Sequence, residues 1–289
     1  MQRFSAAAHV VDQARHAFFT EQSADRPRAM APIPISLVDG VENVAVEILG
    51  ITKLRHRSAL THLSDFDGPM LVETIHRTIE NNYARGCASA NKDRSRENWR
   101  WPVLQPQISE HNRSPEVVVE RAIAAACKRL DRTDWANQVP VASGLIASGS
   151  ERRRAIDLVH RRGERHFELI EFKIASDTPL YAAIEIILYG CIWLIARSDK
   201  PSRESALLDG DHIDLRVLAP TSYYAPYVLR NIEATLEKGV RALGQRHGIT
   251  LTFAFQLLDK QIQPGTFPDD QQLLALLDHP RSATAMDAQ

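Results

Sequence analysis

The chain is poor in cysteine, with only Cys87, Cys127 and Cys191 in 289 residues. Three thiols so widely spaced exclude a disulfide framework and an iron–sulfur set, and they suit a reducing compartment. Net charge is also lacking: 35 Lys and Arg stand against 36 Asp and Glu. No whole-molecule field draws in a polyanion, so any attraction for phosphate has to be local. The longest apolar run, Leu180 to Ala196, contains Glu185 and falls short of the ~20 residues a membrane span needs. The opening residues, MQRFSAAAHVVDQARHAFF, mix charge and apolar groups at helical spacing rather than as a signal peptide. The expectation is a cytoplasmic protein without a membrane partner. Neither GxxxxGK[ST] nor GxGxxG nor GxSxG occurs. An NTPase, a nicotinamide enzyme and a serine hydrolase therefore have no anchor. Eleven histidines are present, but none falls in an H-x-x-x-H spacing with a nearby third ligand, so no zinc site is expected.

What the chain does have is concentrated between Arg153 and Tyr189. Two β-favouring runs, Ala155 to His160 and His166 to Ile174, flank RRGER, where Gly163 accepts a turn conformation. This pattern predicts a β-hairpin. With the turn near Gly163 and Glu164, Asp157 falls opposite Glu171 at roughly 5 Å. The period of two puts Glu171 and Lys173 on one face and Ile170, Phe172 and Ile174 on the other. Two carboxylates and an ammonium then converge, and that set suits a hard divalent cation, Mg²⁺ or Mn²⁺. The competing reading is a structural ion pair on an edge hairpin, but FELIEFKI is apolar at both parities, as in a central strand.

Asp157, thirteen residues, then Glu171-Phe172-Lys173 resembles the D…(D/E)xK signature of the PD-(D/E)xK nuclease superfamily. The resemblance implies a metal held by Asp157, Glu171 and the Phe172 carbonyl, with Lys173 orienting or activating the attacking water. It also implies a core of helix, three strands, helix and strand, with a glutamate of the first helix facing the metal. The predicted helix after Ser114 and Pro115 carries Glu120 at the head of its inward stripe, with Glu116 as substitute. Glu120 could equally be an exposed residue paired with Lys128. In the helix from 178 to 197, Glu185 and Tyr189 lie one turn apart and resemble the Q-x-x-x-Y element of RecB-like nucleases, with Glu in place of Gln. Tyr189 could instead be packed in the core. Ile156 stands where the family has Pro, which ligates nothing.

The remainder divides into an N-terminal α+β region (1–112), the nuclease-like part (113–262) and a C-terminal tail (263–289). Residues 2–20 read as an amphipathic helix, the stretch around Asp39-Gly40 as a β-hairpin, and GPMLVETIHRTIENNYARG as a helix. A polar, basic segment carries Trp99 and Trp101 among Lys92, Arg94, Arg96 and Arg100. Such interleaving suits stacked bases on a phosphate backbone; the alternative is that the tryptophans dock on the core. Further strands are expected at 137–146, 213–222 and 249–259, a helix at 226–247, and a short helix with a frayed end after Asp269. Arg161 and Arg162, with Arg152, Arg153, Arg154 and Arg165, would concentrate positive charge beside the metal.

The fold expected is α/β, a restriction-endonuclease-like mixed central sheet flanked by helices, beside the N-terminal α+β region. The function expected is a Mg²⁺-dependent nuclease acting on nucleic acid, DNA ahead of RNA, in restriction, repair or phage defence. The other readings are a weakly catalytic scaffold of the same fold that binds nucleic acid or protein, and a homo-oligomer built through the N-terminal part and the apolar helix.

Overall fold

The computed structural model describes residues 36–56, 66–86, 98–108, 110–141, 154–199 and 205–288. Its helices are α1 (Val41–Leu49), α2 (Gly68–Gly86), α3 (Pro115–Arg129), α4 (Pro179–Asp199), α5 (Thr221–Tyr224), α6 (Arg230–Arg246) and α7 (Asp270–Asp278). The strands are β1 (Trp135–Pro140), β2 (Ala155–Arg161), β3 (His166–Phe172), β4 (His212–Pro220), β5 (Thr250–Leu258) and β6 (Arg281–Ser282). They form one six-stranded mixed sheet in sequence order. β1, β2 and β3 pair antiparallel, β3, β4 and β5 parallel, and β6 returns antiparallel to β5. Parallel neighbours need a crossover, and α4 and α6 supply the two.

Helices cover both faces of the sheet. On one side α1, α2, α4 and α6 build the larger apolar cluster, around Ile75, Trp193, Leu215 and Phe253. On the other, α3 and α7 enclose Ile123, Leu158, Phe172 and Leu273. Helix α4 is nearly all apolar because it is sandwiched, with sheet strands β3 and β4 on one side and α2 on the other. It is long and apolar enough to cross a membrane by composition, yet most of it is buried inside the fold. Gly190 lets it approach the sheet: a Cβ there would lie 2.8 Å from Leu215 Cδ1.

Several expectations are corrected. Asp39-Gly40 does make a turn, with Asp39 Oδ2 accepting from the Ser36 N–H at 3.0 Å and Gly40 at φ 80°. It opens helix α1 rather than a hairpin, because Val41, Ala45 and Leu49 bury at a spacing of four, not two. Strand β4 stops at Pro220, where short helix α5 begins, and α6 starts only at Arg230. The C-terminal stretch does not simply fray: α7 packs on α3, and β6 adds a strand to the sheet edge. Residues 33–289 cluster as one compact unit, with α1 and α2 contributing to the main core. The helix expected at 2–20 and residues 142–146 of the strand expected at 137–146 lie outside the described residues.

Candidate metal centre

The β2–β3 hairpin has the register anticipated from its turn, with Leu158 opposite Ile170 and Val159 opposite Leu169. Pairing stops there, and the next residues on the two strands, Asp157 and Glu171, interact through their side chains. The Phe172 N–H, left without a partner in that ladder, donates to Asp157 Oδ2 at 2.9 Å. In extended backbone a residue's N–H and C=O point to the same edge, so the Phe172 carbonyl is turned toward Asp157 as well. Lys173 Nζ lies 2.6 Å from Glu171 Oε1 and 3.3 Å from Glu185 Oε2. The ammonium thus bridges an acid of the sheet and an acid of helix α4.

Glu120 enters from α3. Ser114 Oγ caps that helix by accepting from the Val117 N–H at 3.4 Å, and Pro115 fills its first position. One turn further on, Glu120 is buried with Val119 and Ile123. Its Oε2 accepts from Gln138 Nε2 at 3.2 Å, and the same nitrogen lies 3.4 Å from Asp157 Oδ1. Gln138 is therefore the clip between the two acids. It sits in mid-strand with φ 49°, a left-handed conformation that costs a residue with a Cβ free energy.

These neighbours distort one another's proton affinities. Burial first, and then the charge of Asp157, push the Glu120 carboxyl up to about 8. Asp157 is pushed up to about 6, by burial against the opposing pull of Lys173 and the Phe172 N–H. Glu171 is raised well above the carboxylate range by burial and then by the charges of Asp157 and Glu185. For Lys173 burial works toward the neutral amine, but Glu171, Glu185 and Asp157 outweigh it and hold the ammonium charged. Glu171, Glu185 and Asp157 share Lys173, while Arg121 acts on Glu120 and Arg55 on Glu185.

No protein-family model, curated protein or solved structure matches this chain. What the pocket can do follows from its own donors. Carboxylate and carbonyl oxygens are the donors a hard divalent cation takes, and Asp157, Glu171, Glu120 and the Phe172 carbonyl are the oxygens that could hold one here, once the three carboxylates close to nearer than their present spacing.

Other anticipated residues fall in varied places. Glu116 does not face the acids: its Oε1 accepts from the Ile174 N–H at 3.2 Å, the Ala175 N–H at 3.4 Å and Ser176 Oγ at 3.1 Å. It clamps the segment that follows Lys173, and Glu120 is the inward glutamate. Tyr189 is 3 % exposed, packed in the core yet close enough to feel Glu185, Glu171 and Asp157. Trp99 is 1 % exposed, and Trp101 packs edge-on against Phe167 with ring centres 5.2 Å apart. The docked alternative therefore applies, and Trp99 offers no surface to a base.

Arg161 and Arg162 are corrected too. They lie at the hairpin tip, four or more residues along the strand from Asp157 and hence about 13 Å or more away. Arg161 donates to the Gly163 and Glu164 carbonyls, and Arg162 donates to the Asp278 carbonyl at 2.5 Å. Arg152 and Arg153 lie outside the described residues. Three residues at or near the pocket had no sequence signal. Gln138 was hidden because a glutamine in a strand is unremarkable until its φ is known. Tyr223, buried within electrostatic reach of Lys173 and Glu171, follows a strand end that the sequence placed too late. Arg55 stacks on Tyr181 at 3.9 Å and pairs with Asp177 at 2.9 Å, at the start of α4 near Glu185.

Proposed function

We propose that the protein is a metal-dependent nuclease that hydrolyses phosphodiester bonds of DNA, built on a restriction-endonuclease-like core of the PD-(D/E)xK type. The observation that carries this reading is the meeting of Glu120 of α3, Asp157 of β2, Glu171 of β3 and Lys173 just past β3 in one buried cluster. The element order from α3 onward, one helix, three strands, one helix, one strand, is the order the resemblance implies. Both supports come from this chain alone.

Asp157, Glu171 and Glu120 would hold the cation, joined by the Phe172 carbonyl. When bound, the cation would supply Lewis acidity toward the phosphate and a more acidic water. Lys173 stays protonated between two acids, so its part is to orient the water and to offset charge on the phosphate oxygens rather than to act as a base. Gln138 keeps Glu120 and Asp157 at a fixed separation. Glu116 holds the backbone just past Lys173, so the ammonium is presented from a rigid strand end. Arg55 gives a cation where α4 begins, within electrostatic reach of Glu185, that could meet a phosphate of the strand. Restriction, repair and phage defence are the settings in which such chemistry would serve a cell.

The test is cleavage of plasmid and single-stranded DNA by the full chain with Mg²⁺ or Mn²⁺. Lys173→Ala and Asp157→Asn proteins that retain the wild-type circular dichroism should lose about a hundredfold or more in rate. Equal rates in all three proteins would end the catalytic assignment. DNA binding without cleavage at any metal would favour the scaffold reading.

A further inference from the structure

We propose that His166, His212 and Asp214 form a second metal site, for a late first-row divalent ion of the Zn²⁺ class, at the end of β3 and β4 remote from the carboxylate pocket. His166 opens β3, His212 opens β4, and the parallel register pairs them directly. Their rings are stacked with centres 3.8 Å apart and planes 7° from parallel. Both Nε2 atoms reach the same carboxylate, His166 to Asp214 Oδ2 at 2.7 Å and His212 to Asp214 Oδ1 at 3.3 Å. One potential ligand atom from each of the three residues lies within 4.8 Å of the others. Five strand residues separate His166 from Glu171, about 17 Å, so the two sites share no ligand.

The donor set decides the ion. Two imidazoles and one carboxylate favour Zn²⁺ and its neighbours over Mg²⁺, which prefers oxygen alone. Three protein ligands leave a fourth position for water. The histidine side chains are 31 % and 37 % exposed, so an ion can arrive from solvent, whereas Asp214 is buried and fixed. Arg216 Nη2 lies 2.9 Å from Asp214 Oδ1, and the Thr252 hydroxyl donates to the same oxygen. Oδ2 is thereby left to the His166 side. An imidazole lone pair lies in the ring plane, so an ion held by both rings would tilt them out of their stack, a motion open to half-exposed side chains at strand starts.

A neighbouring cluster, Asp134, His160 and Asp278, has similar spacing but is already filled by a cation. Arg132 donates to both Asp134 oxygens at 2.7 and 2.6 Å and to both Asp278 oxygens at 3.2 and 3.0 Å. Among the described residues no cation bridges the ligands of the His166 cluster in this way, Arg216 pairing with Asp214 alone. It escaped the sequence because its histidines stand 46 positions apart, and only the parallel pairing brings them together.

The experiment is calorimetric titration of ZnCl₂ into the chelator-stripped full chain, with excess Mg²⁺ to occupy the carboxylate pocket. It is repeated on the Asp157→Asn/Glu171→Gln double variant, on His166→Ala and on His212→Ala. One equivalent of Zn²⁺ should bind to wild type and to the carboxylate double variant alike, and bind at least about tenfold more weakly to either histidine variant. His212→Gln, close in size to the native residue, serves if the alanine variant does not fold. No stoichiometric Zn²⁺ binding to wild type, affinity unchanged in the histidine variants, or binding lost only in the carboxylate variant would each overturn the proposal.

Discussion

Glu120 is buried and shares an amide with Asp157. Its carboxyl and that of Asp157 bind protons more tightly in the folded chain than in the unfolded one. The sign follows from linkage: such groups contribute stability that is complete below about pH 4 and is lost as pH rises through the folded values. Stripped of divalent cations, the protein should therefore become less stable between about pH 4 and 8, by on the order of a few kcal/mol, as read by urea denaturation. Glu120→Gln should flatten the upper part of that decline, and excess Mg²⁺ should do the same for wild type. A flat wild-type profile without cations would contradict the electrostatics described for the pocket. Trp99 makes the opposite kind of prediction. As a fully buried indole it should cost about 3–5 kcal/mol when replaced by alanine, rather than lower DNA affinity in a protein of unchanged stability.

Among the elements, the β2–β3 hairpin was the most legible, because turn position and period two fix which residues oppose each other, and Leu158 does face Ile170. The capped start of α3 and the apolar α4 were legible for similar local reasons. What escaped was set by tertiary contact. The Asp39-Gly40 turn leads into α1 because the apolar spacing of the following residues selects helix. The charge cluster at Arg161, Arg162 and Arg165 was assigned to the wrong end of the hairpin, although strand length alone would have placed it about 13 Å from Asp157. Gln138 escaped because a backbone conformation, not a residue type, singles it out. Element packing gives two further predictions. A Cβ at Gly239 would lie 2.5 Å from the Gly68 carbonyl oxygen, where α6 crosses α2 backbone to backbone. Gly239→Ala should then destabilise by about 1–3 kcal/mol in thermal or urea unfolding, since neither helix can yield by a rotamer change. Loss of the three hydrogen bonds made by Glu116 should lower stability by about 1–3 kcal/mol in Glu116→Ala and reduce cleavage without abolishing metal binding.

At the scale of the whole molecule, one sheet carries two chemically distinct ends. Where β3 finishes, carboxylates gather around Lys173; where β3 and β4 begin, imidazoles and Asp214 gather instead. Two helical layers bury the strands between them, which keeps water from screening the acids. A nuclease of this kind requires the acidic end to take up a cation. Mn²⁺ binding, followed by the loss of its free-ion paramagnetic resonance signal, measures this directly in wild type and in Asp157→Asn/Glu171→Gln. Saturable uptake by wild type that disappears in a folded double variant is the predicted result; uptake that is absent from wild type, or the same in both proteins, would contradict it.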